Sequence, residues 1–362
     1  MNLSEIQCPP VRRKAYIVGP VFDSVLFIFT PLLSLGLGWI MSHQIFQKQV
    51  HFVDRREPLY WMFYITLTQA HLIVTVARTH ANRAVFRKYW LRFTVVPVGL
   101  FASIMLSGFV AAAGFVLMTF WDVYHSSMQT FGLARIYGAK AGELPHDRRW
   151  ADLMLNLLLY AGPVFGGAML VNHLASFATF SNLEPISVGA ILFDPSRLVA
   201  VPESVLTYQH SIKSLLLTVG AVGILAYVSD SLRRYRAGKP FPWQKTALLL
   251  STGITSVVAW GFNSFGMAFL IVNVFHAVQY FALVWTTEKR NLAMVAYATE
   301  SHIRMAILFA AFLLAPIGLA LVLIATFNRA AFAVLIVCAL MHFWWDGFIW
   351  SVRKKQHLEV AA

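Results

Sequence analysis

Residues 265–286 read FGMAFLIVNVFHAVQYFALVWT, a run of 22 residues without a charged side chain. About 20 successive apolar residues cross the hydrocarbon core of a membrane as a helix. The run includes Asn273, His276, Gln279 and Tyr280, whose spacing of three, four and seven residues places them on one helical face. This stretch therefore predicts a membrane helix with a polar stripe that faces the interior of a bundle.

The composition of the whole chain agrees with a membrane location. Hydrophobic residues make up 58% of the 362 residues and charged residues 12%, about half the charge content of a typical soluble domain. A soluble protein of this size has too little core to bury so many apolar side chains. We therefore predict an all-α protein, a polytopic integral membrane helix bundle in which residues 1–362 form a single transmembrane domain.

Charged and turn-forming residues divide the chain into about ten apolar stretches of membrane-spanning length. The predicted spans are residues 20–42, 59–77, 91–107, 110–134, 152–171, 210–229, 245–262, 265–286, 304–326 and 331–351. Two pairs of spans follow each other almost without a loop, at Ser107 and at Asn263. A longer connection over 172–209 is either a lid over a substrate entrance or a plain loop.

The basic residues predict the orientation of the bundle. With ten spans, 23 of the 29 Lys and Arg residues fall on one side, and this side faces the cytoplasm under the positive-inside rule. Both the N- and the C-terminus are then cytoplasmic. The net charge of +13 is explained by topology and by contacts with anionic membrane lipids, so we expect no nucleic-acid partner. We expect an integral protein of the bacterial inner (plasma) membrane.

Four of the predicted spans carry one histidine each: His71, His125, His276 and His342. At ~1.5 Å per residue, each lies roughly 10 to 20 Å from the basic residue at the cytoplasmic end of its helix. The four imidazoles are thus able to share one layer of the membrane. A single histidine of this kind often only hydrogen-bonds a neighbouring helix, but ionisable groups inside a membrane are costly and usually mark a site. We predict that all four bind metal.

Carboxylates and amides accompany these histidines at one-turn spacing. Asp122 and Asp346 lie one turn from His125 and His342, where a carboxylate binds a metal directly or accepts the other ring N–H. We predict both as metal ligands. Three further side chains are predicted to act in catalysis, by supporting the ligands or contacting the substrate, with core hydrogen bonding as the alternative: Gln129, Gln279 and Tyr280.

Three polar residues at span ends are open in their role. Asp23 either caps a helix N-terminus through the macrodipole or joins the site. His80 and His302 either contact lipid headgroups or act as additional ligands.

Imidazole and carboxylate ligands suit iron, copper or zinc. Three or four histidines with one or two carboxylates form a ligand set for one or two non-haem iron ions that activate O2. Inside a membrane the substrate is lipophilic, such as an acyl chain, a sterol, a carotenoid or a quinone. We therefore predict a metal-binding oxidoreductase, an oxygenase, hydroxylase or desaturase, served by a possible electron-donor protein or quinone.

One histidine per helix resembles the general style of membrane carotene-cleaving dioxygenases and of haem-binding helix bundles, although no motif of either is matched. The H-x-x-x-H and H-x-x-H-H motifs of membrane desaturases are absent from the sequence. Two alternatives stay open: bis-histidine haem in quinone-linked electron transfer, and a proton-coupled or metal transporter. The positions of the histidines also suggest a pseudo-repeat of 20–137 and 245–352, with 152–229 between them.

Overall fold

The computed structural model describes residues 15–41, 58–166, 186–188, 191–193, 207–263, 265–299, 301–326 and 328–350. Within these ranges the chain is almost entirely helical. The helices are α1 (Pro20–Asp23), a π-helical turn (Ser24–Ile28), α2 (Thr30–Met41), α3 (Pro58–Thr79), α4 (Arg83–Leu106), α5 (Gly108–Lys140), α6 (Arg149–Gly166), α7 (Gln209–Arg236), α8 (Trp243–Phe262), α9 (Phe265–Val295), α10 (His302–Ala325) and α11 (Arg329–Ile349).

Six of these helices are long and apolar enough to cross a membrane: α4, α5, α7, α9, α10 and α11. A seventh candidate is the bent pair formed by Pro20–Ile28 and Thr30–Trp39. Every one of the ten predicted stretches contains a helix, but within the described residues the three other long helices, α3, α6 and α8, do not reach the same length and apolarity. The described residues thus form the helix bundle of a membrane protein, and the count of ten spans stays a prediction.

The first predicted span, 20–42, is not one straight helix. Its two halves meet at an angle of 56°, because Pro31 has no N–H with which to bond the carbonyl of Phe27. Other helices satisfy the carbonyls at the bend: Gln279 donates to the Phe27 carbonyl at 2.7 Å, and the Ser251 hydroxyl donates to the carbonyl of Ile28. The bend is therefore held by side chains of α8 and α9.

Helix α9 lies at the centre of the bundle. Of the residues in the most apolar stretch of α9, 89% are buried, whereas none of those in the most apolar stretch of α7 are buried. Helix α9 packs against α2, α3, α5, α8 and α10, so other helices cover its apolar surface as well as its polar stripe. The outward-facing apolar surface of α7 is the surface expected to contact lipid.

Four helices contact one another around a common interior: α3, α5, α9 and α11. Each of α3 and α5 packs against both α9 and α11. Helix α5 begins after a break at Ser107, where the sequence predicts that one span ends and the next begins. The Ser107 hydroxyl accepts the N–H of Val110 at 3.3 Å. These four helices carry the four histidines named above.

The predicted loop 172–209 contains a short antiparallel hairpin of β1 (Ile186–Val188) and β2 (Ile191–Phe193), in which Ile186 pairs with Phe193. Strand β2 contacts α5. The other residues of this connection up to 206 lie outside the described part, and so does its interpretation as a lid. The relation between 20–137 and 245–352 stays a prediction.

Candidate metal centre

The four histidines meet in one buried cluster at the centre of α3, α5, α9 and α11. The ring centroid of His276 lies 4.9 Å from that of His71 and 5.0 Å from that of His125. The ring of His342 lies 5.2 Å from His71, 4.6 Å from His125 and 6.3 Å from His276. All four side chains are buried. Helices far apart in sequence thus bring their imidazoles into contact.

Two overlapping groups in this cluster have the geometry to hold a metal ion. One consists of His71, His276 and His342, and the other of His125, His342 and Asp346. In each group, one ligand atom from every side chain lies within 4.8 Å of the others. Because His342 belongs to both groups, the five side chains form one continuous set of nitrogen and oxygen donors.

His342 is oriented by a hydroxyl group. Its Nδ1 lies 2.5 Å from Oγ1 of Thr75, and its Nε2 lies 2.9 Å from Nε2 of His125. Thr75 therefore occupies one ring nitrogen and leaves the other directed into the cluster. Groups that bond the second nitrogen of a ligating histidine set the tautomer and the ring orientation, and Thr75 is in that position here.

The two carboxylate oxygens of Asp346 have different surroundings. Oδ2 lies 3.7 Å from Nε2 of His125 and 3.8 Å from Nε2 of His342. Oδ1 accepts hydrogen bonds from the Tyr280 hydroxyl at 2.9 Å and from Nε1 of Trp350 at 3.1 Å. One oxygen thus faces the imidazoles while two donors hold the other, an arrangement typical of an oriented metal ligand.

His276 is buried without a hydrogen bond to its ring. Neither Nδ1 nor Nε2 has a partner within the described ranges. His71 is also fully buried, and its ring faces the carbonyls of Leu67 and Thr68 without hydrogen-bond geometry. An unsatisfied buried polar group costs about 1–3 kcal/mol. A cation bound to these nitrogens would remove that cost.

Asp122, the sixth predicted ligand, lies apart from this donor set. It is buried one turn before His125 on α5, but it belongs to neither of the two groups with metal-binding spacing. The structure therefore brings together five of the six residues predicted to bind metal. The periodicity of α5 predicts which face Asp122 occupies but not its distance from the other helices.

The three residues predicted to act in catalysis have two different environments. The Tyr280 hydroxyl is next to the cluster, bonded to Asp346 and 3.0 Å from Oγ1 of Thr75. Gln129 donates to the backbone carbonyl of His276 and to the side-chain oxygen of Gln279, both at 3.1 Å. Since Gln279 donates in turn to the carbonyl of Phe27, the two amides join α5, α9 and the π-helical turn.

None of the three span-end residues belongs to the two metal-binding groups. Asp23 accepts the N–H groups of Ile17, Val18 and Gly19 and the Tyr137 hydroxyl, so it fixes the segment before α1 and connects it to α5. His302 is exposed at the start of α10.

His80 packs against aromatic rings instead of the cluster. Its ring centroid lies 5.5 Å from that of Phe86, 5.7 Å from Phe93 and 5.9 Å from Trp345. The side chain is nonetheless exposed as a whole, so a contact of His80 with lipid headgroups, one of its two predicted roles, stays a prediction.

Sequence reasoning missed several residues that support the cluster. Thr75 shares a helical face with His71, and Trp350 lies one turn after Asp346, so the spacing carries a usable signal. Arg78, one turn beyond Thr75, stacks over Trp350 at 4.7 Å and pairs with the fully buried Glu288. Nothing in the local sequence indicates this last pair.

A second buried group of charges lies toward the end of α5. Lys245 is fully buried and donates to Glu143 at 2.8 Å and to Asp152 at 2.7 Å. Arg135 donates to the same Asp152 oxygen at 2.6 Å. Under the positive-inside rule, Arg135 and Lys245 count among the charges that flank the membrane. In the structure both side chains are buried. Their burial depends on carboxylates from other segments.

No protein-family model, curated protein or solved structure matches this chain.

Proposed function

We propose that this protein is a membrane metalloenzyme whose centre is held by His71, His125, His276, His342 and Asp346. The observation that carries the proposal is the convergence of four buried imidazoles and one carboxylate from four separate helices. A neutral imidazole alone is tolerated in a membrane bundle, but a cluster with unsatisfied ring nitrogens loses stability unless something binds it.

Non-haem iron, mononuclear or dinuclear, is the proposed metal. Nitrogen donors from histidine together with a carboxylate favour iron, copper or zinc over magnesium or calcium. Iron in such a ligand set activates O2, which is the chemistry it would supply here. The protein residues supply the donor atoms, and Thr75 and Trp350 hold His342 and Asp346 in position.

The proposed reaction is O2-dependent oxidation of a lipophilic substrate. The cluster lies among apolar and aromatic side chains, including Phe343, whose ring centroid is 4.7 Å from that of His125. Such surroundings suit an acyl chain, a sterol, a carotenoid or a quinone. A dioxygenase places both oxygen atoms in its products, whereas a hydroxylase or desaturase needs two further electrons from a donor protein or a quinol.

The compact cluster supports this proposal over bis-histidine haem. A haem between two axial histidines separates them by a flat macrocycle wedged between the helices. Here Nε2 of His125 and Nε2 of His342 lie only 2.9 Å apart, and each of these rings also contacts His71 or His276. This spacing suits several imidazoles on one small ion.

Transport of a metal ion is the second candidate, because the first candidate span is bent by 56°. Transporters bind their cargo beside discontinuous helices, and the bend contacts Gln279 of α9, one turn from His276. A transporter of this kind would exchange its ion within seconds. An enzyme centre would retain its ion through purification. The proposed location is the bacterial inner membrane with both termini in the cytoplasm, supported by the distribution of basic residues.

Metal analysis of the full chain tests the proposal. We expect protein purified in detergent without chelators to retain about one or two iron ions per chain and to lack the Soret absorption band of haem. A Soret band at full occupancy would establish the haem alternative. Protein free of any metal after gentle purification would rule out both the non-haem iron centre and the haem alternative, and transport would be the remaining candidate.

A further inference from the structure

A cavity of about 250 Å³ lies far from the histidine cluster. Its walls come from the loop after α5, from the last turns of α7, from the loop between α7 and α8, and from the first turn of α8. The end of α5 is about 22 Å along the helix from His125, at ~1.5 Å per residue. This cavity is therefore separate from the proposed metal centre.

Three basic side chains line the cavity: Arg148 from the loop after α5, Arg234 from α7, and Lys239 from the loop between α7 and α8. Two carboxylates, Glu143 and Asp147, also line it. Lys245 does not line the cavity but donates to Glu143 at 2.8 Å, and its positive charge compensates the charge of that carboxylate. The lining itself thus carries three cations and one carboxylate that Lys245 does not pair.

Among the described residues, the remaining carboxylate forms a close ion pair with one of the three cations. Asp147 lies 3.5 Å from the guanidinium of Arg234, whereas Lys239 is exposed and forms no ion pair with a residue in the described ranges. Arg148 is held in place by Asp230 at 3.1 Å, outside the cavity wall, and by stacking 4.0 Å over the Tyr227 ring. Its planar donor group is thereby oriented before any ligand arrives.

The first turn of α8 adds backbone donors to this environment. Its N-cap residue, Pro242, makes no side-chain hydrogen bond to the N–H groups of the first turn, although the Trp243 N–H already bonds the carbonyl of Phe241 at 3.0 Å. The N-terminal end of a helix attracts anions through these groups and the macrodipole. Together with the three cations, this arrangement suits the oxygen atoms of a phosphate.

The cavity also has the position expected for contact with a lipid headgroup. Helix α7 exposes apolar residues along its whole membrane window. Trp150 and Trp243, beside the cavity, are 72% and 68% exposed, as is typical of aromatic residues at a membrane–water interface. We propose that this cavity binds a phosphate ester, supplied by an anionic phospholipid headgroup or by a soluble phosphate compound.

Two double variants of the full chain test this site while changing the net charge equally. Arg234→Gln/Lys239→Gln removes two cations that line the cavity. Arg233→Gln/Arg236→Gln removes two cations at the same end of α7 that do not line the cavity. The probes are phosphatidylglycerol and glycerol 3-phosphate, titrated onto delipidated protein in a non-ionic detergent and followed by native mass spectrometry.

We expect the cavity variant to bind phosphatidylglycerol at least about tenfold more weakly than wild type, because each basic residue contributes about 1 kcal/mol to such contacts. The control variant should change less than about threefold. Competition by millimolar glycerol 3-phosphate would identify a soluble phosphate ester as a ligand, and its failure would identify the lipid headgroup.

Equal weakening in the two double variants, or no binding of either probe to wild type, would overturn the proposal. Thermal melting of each variant shows whether it is folded. If the double cavity variant unfolds, Lys239→Gln alone decides the question, because this exposed side chain is not part of the packing.

Discussion

The imidazoles of His71 and His276 stand edge to face with their ring centroids 4.9 Å apart, at an interplanar angle of 88°. Both side chains are fully buried, and none of their four ring nitrogens has a hydrogen bond of ordinary geometry within the described ranges. Polar atoms in this state cost free energy unless a ligand binds them. The pair is thus the clearest sign that the cluster serves to bind something.

Removal of one imidazole should empty the centre. We expect His276→Ala to lower the iron content of purified protein severalfold, because His276 is a donor in the proposed set. His146→Ala is the matched control, since His146 is exposed in the loop after α5. Elemental analysis of the two variants measures the difference. Equal iron content in both would remove His276 from the ligands.

Replacement of His276 by a residue of similar volume should have opposite effects with and without metal. In chelator-treated protein, His276→Leu should raise the melting temperature by about 2–4 °C, because it removes unsatisfied buried polar atoms worth about 1 kcal/mol or more. In metal-loaded protein the wild type should melt higher, since only wild type gains the binding energy. The same ranking in both conditions would contradict the proposed site.

The hydroxyl of Thr75 should matter to metal affinity although it is not a ligand. Thr75→Val keeps the shape of the side chain but removes the contact with Nδ1 of His342. We expect about a tenfold or greater loss of affinity, with Thr75→Ser close to wild type. Competition with a metal chelator measures both. Wild-type affinity in Thr75→Val would show that His342 is oriented by packing alone.

The two predicted carboxylate ligands should differ in importance. Asp346→Asn should lower the metal content, because Asp346 belongs to a group with metal-binding spacing, whereas Asp122→Asn should leave it near the wild-type value. Elemental analysis of both variants provides the comparison. The reverse ranking would assign the carboxylate role to Asp122 instead.

The buried charges beyond the cluster should contribute to stability independently of metal. Lys245→Met leaves Glu143 and Asp152 with one cation fewer, and breaking a buried ion pair from one side costs about 3–5 kcal/mol. Lys289→Gln, at an exposed position of α9, is the control. Thermal denaturation in detergent should show a large loss for the first variant only. A loss below about 1 kcal/mol would mean that water reaches these carboxylates.

The helices could be predicted from local sequence because their signals are local. Apolar runs of about 20 residues and breaks such as Ser107 depend only on neighbouring residues. Each of the ten predicted stretches therefore contains a helix in the structure. The sequence analysis did not include the 56° bend within the first stretch, because the donors that hold the bend come from α8 and α9.

The sequence by itself determined which helix carries each histidine and which face of that helix it occupies. Helical periodicity relates every side chain to its own axis but contains no information on the rotation and depth of one helix against another. Only the tertiary structure decided that Asp346 and not Asp122 joins the imidazoles, that Gln129 and Gln279 bond backbone and each other, and that Lys245 is buried. Each of these outcomes depends on contacts between residues more than 90 positions apart or on separate helices, and the packing of those helices settles them.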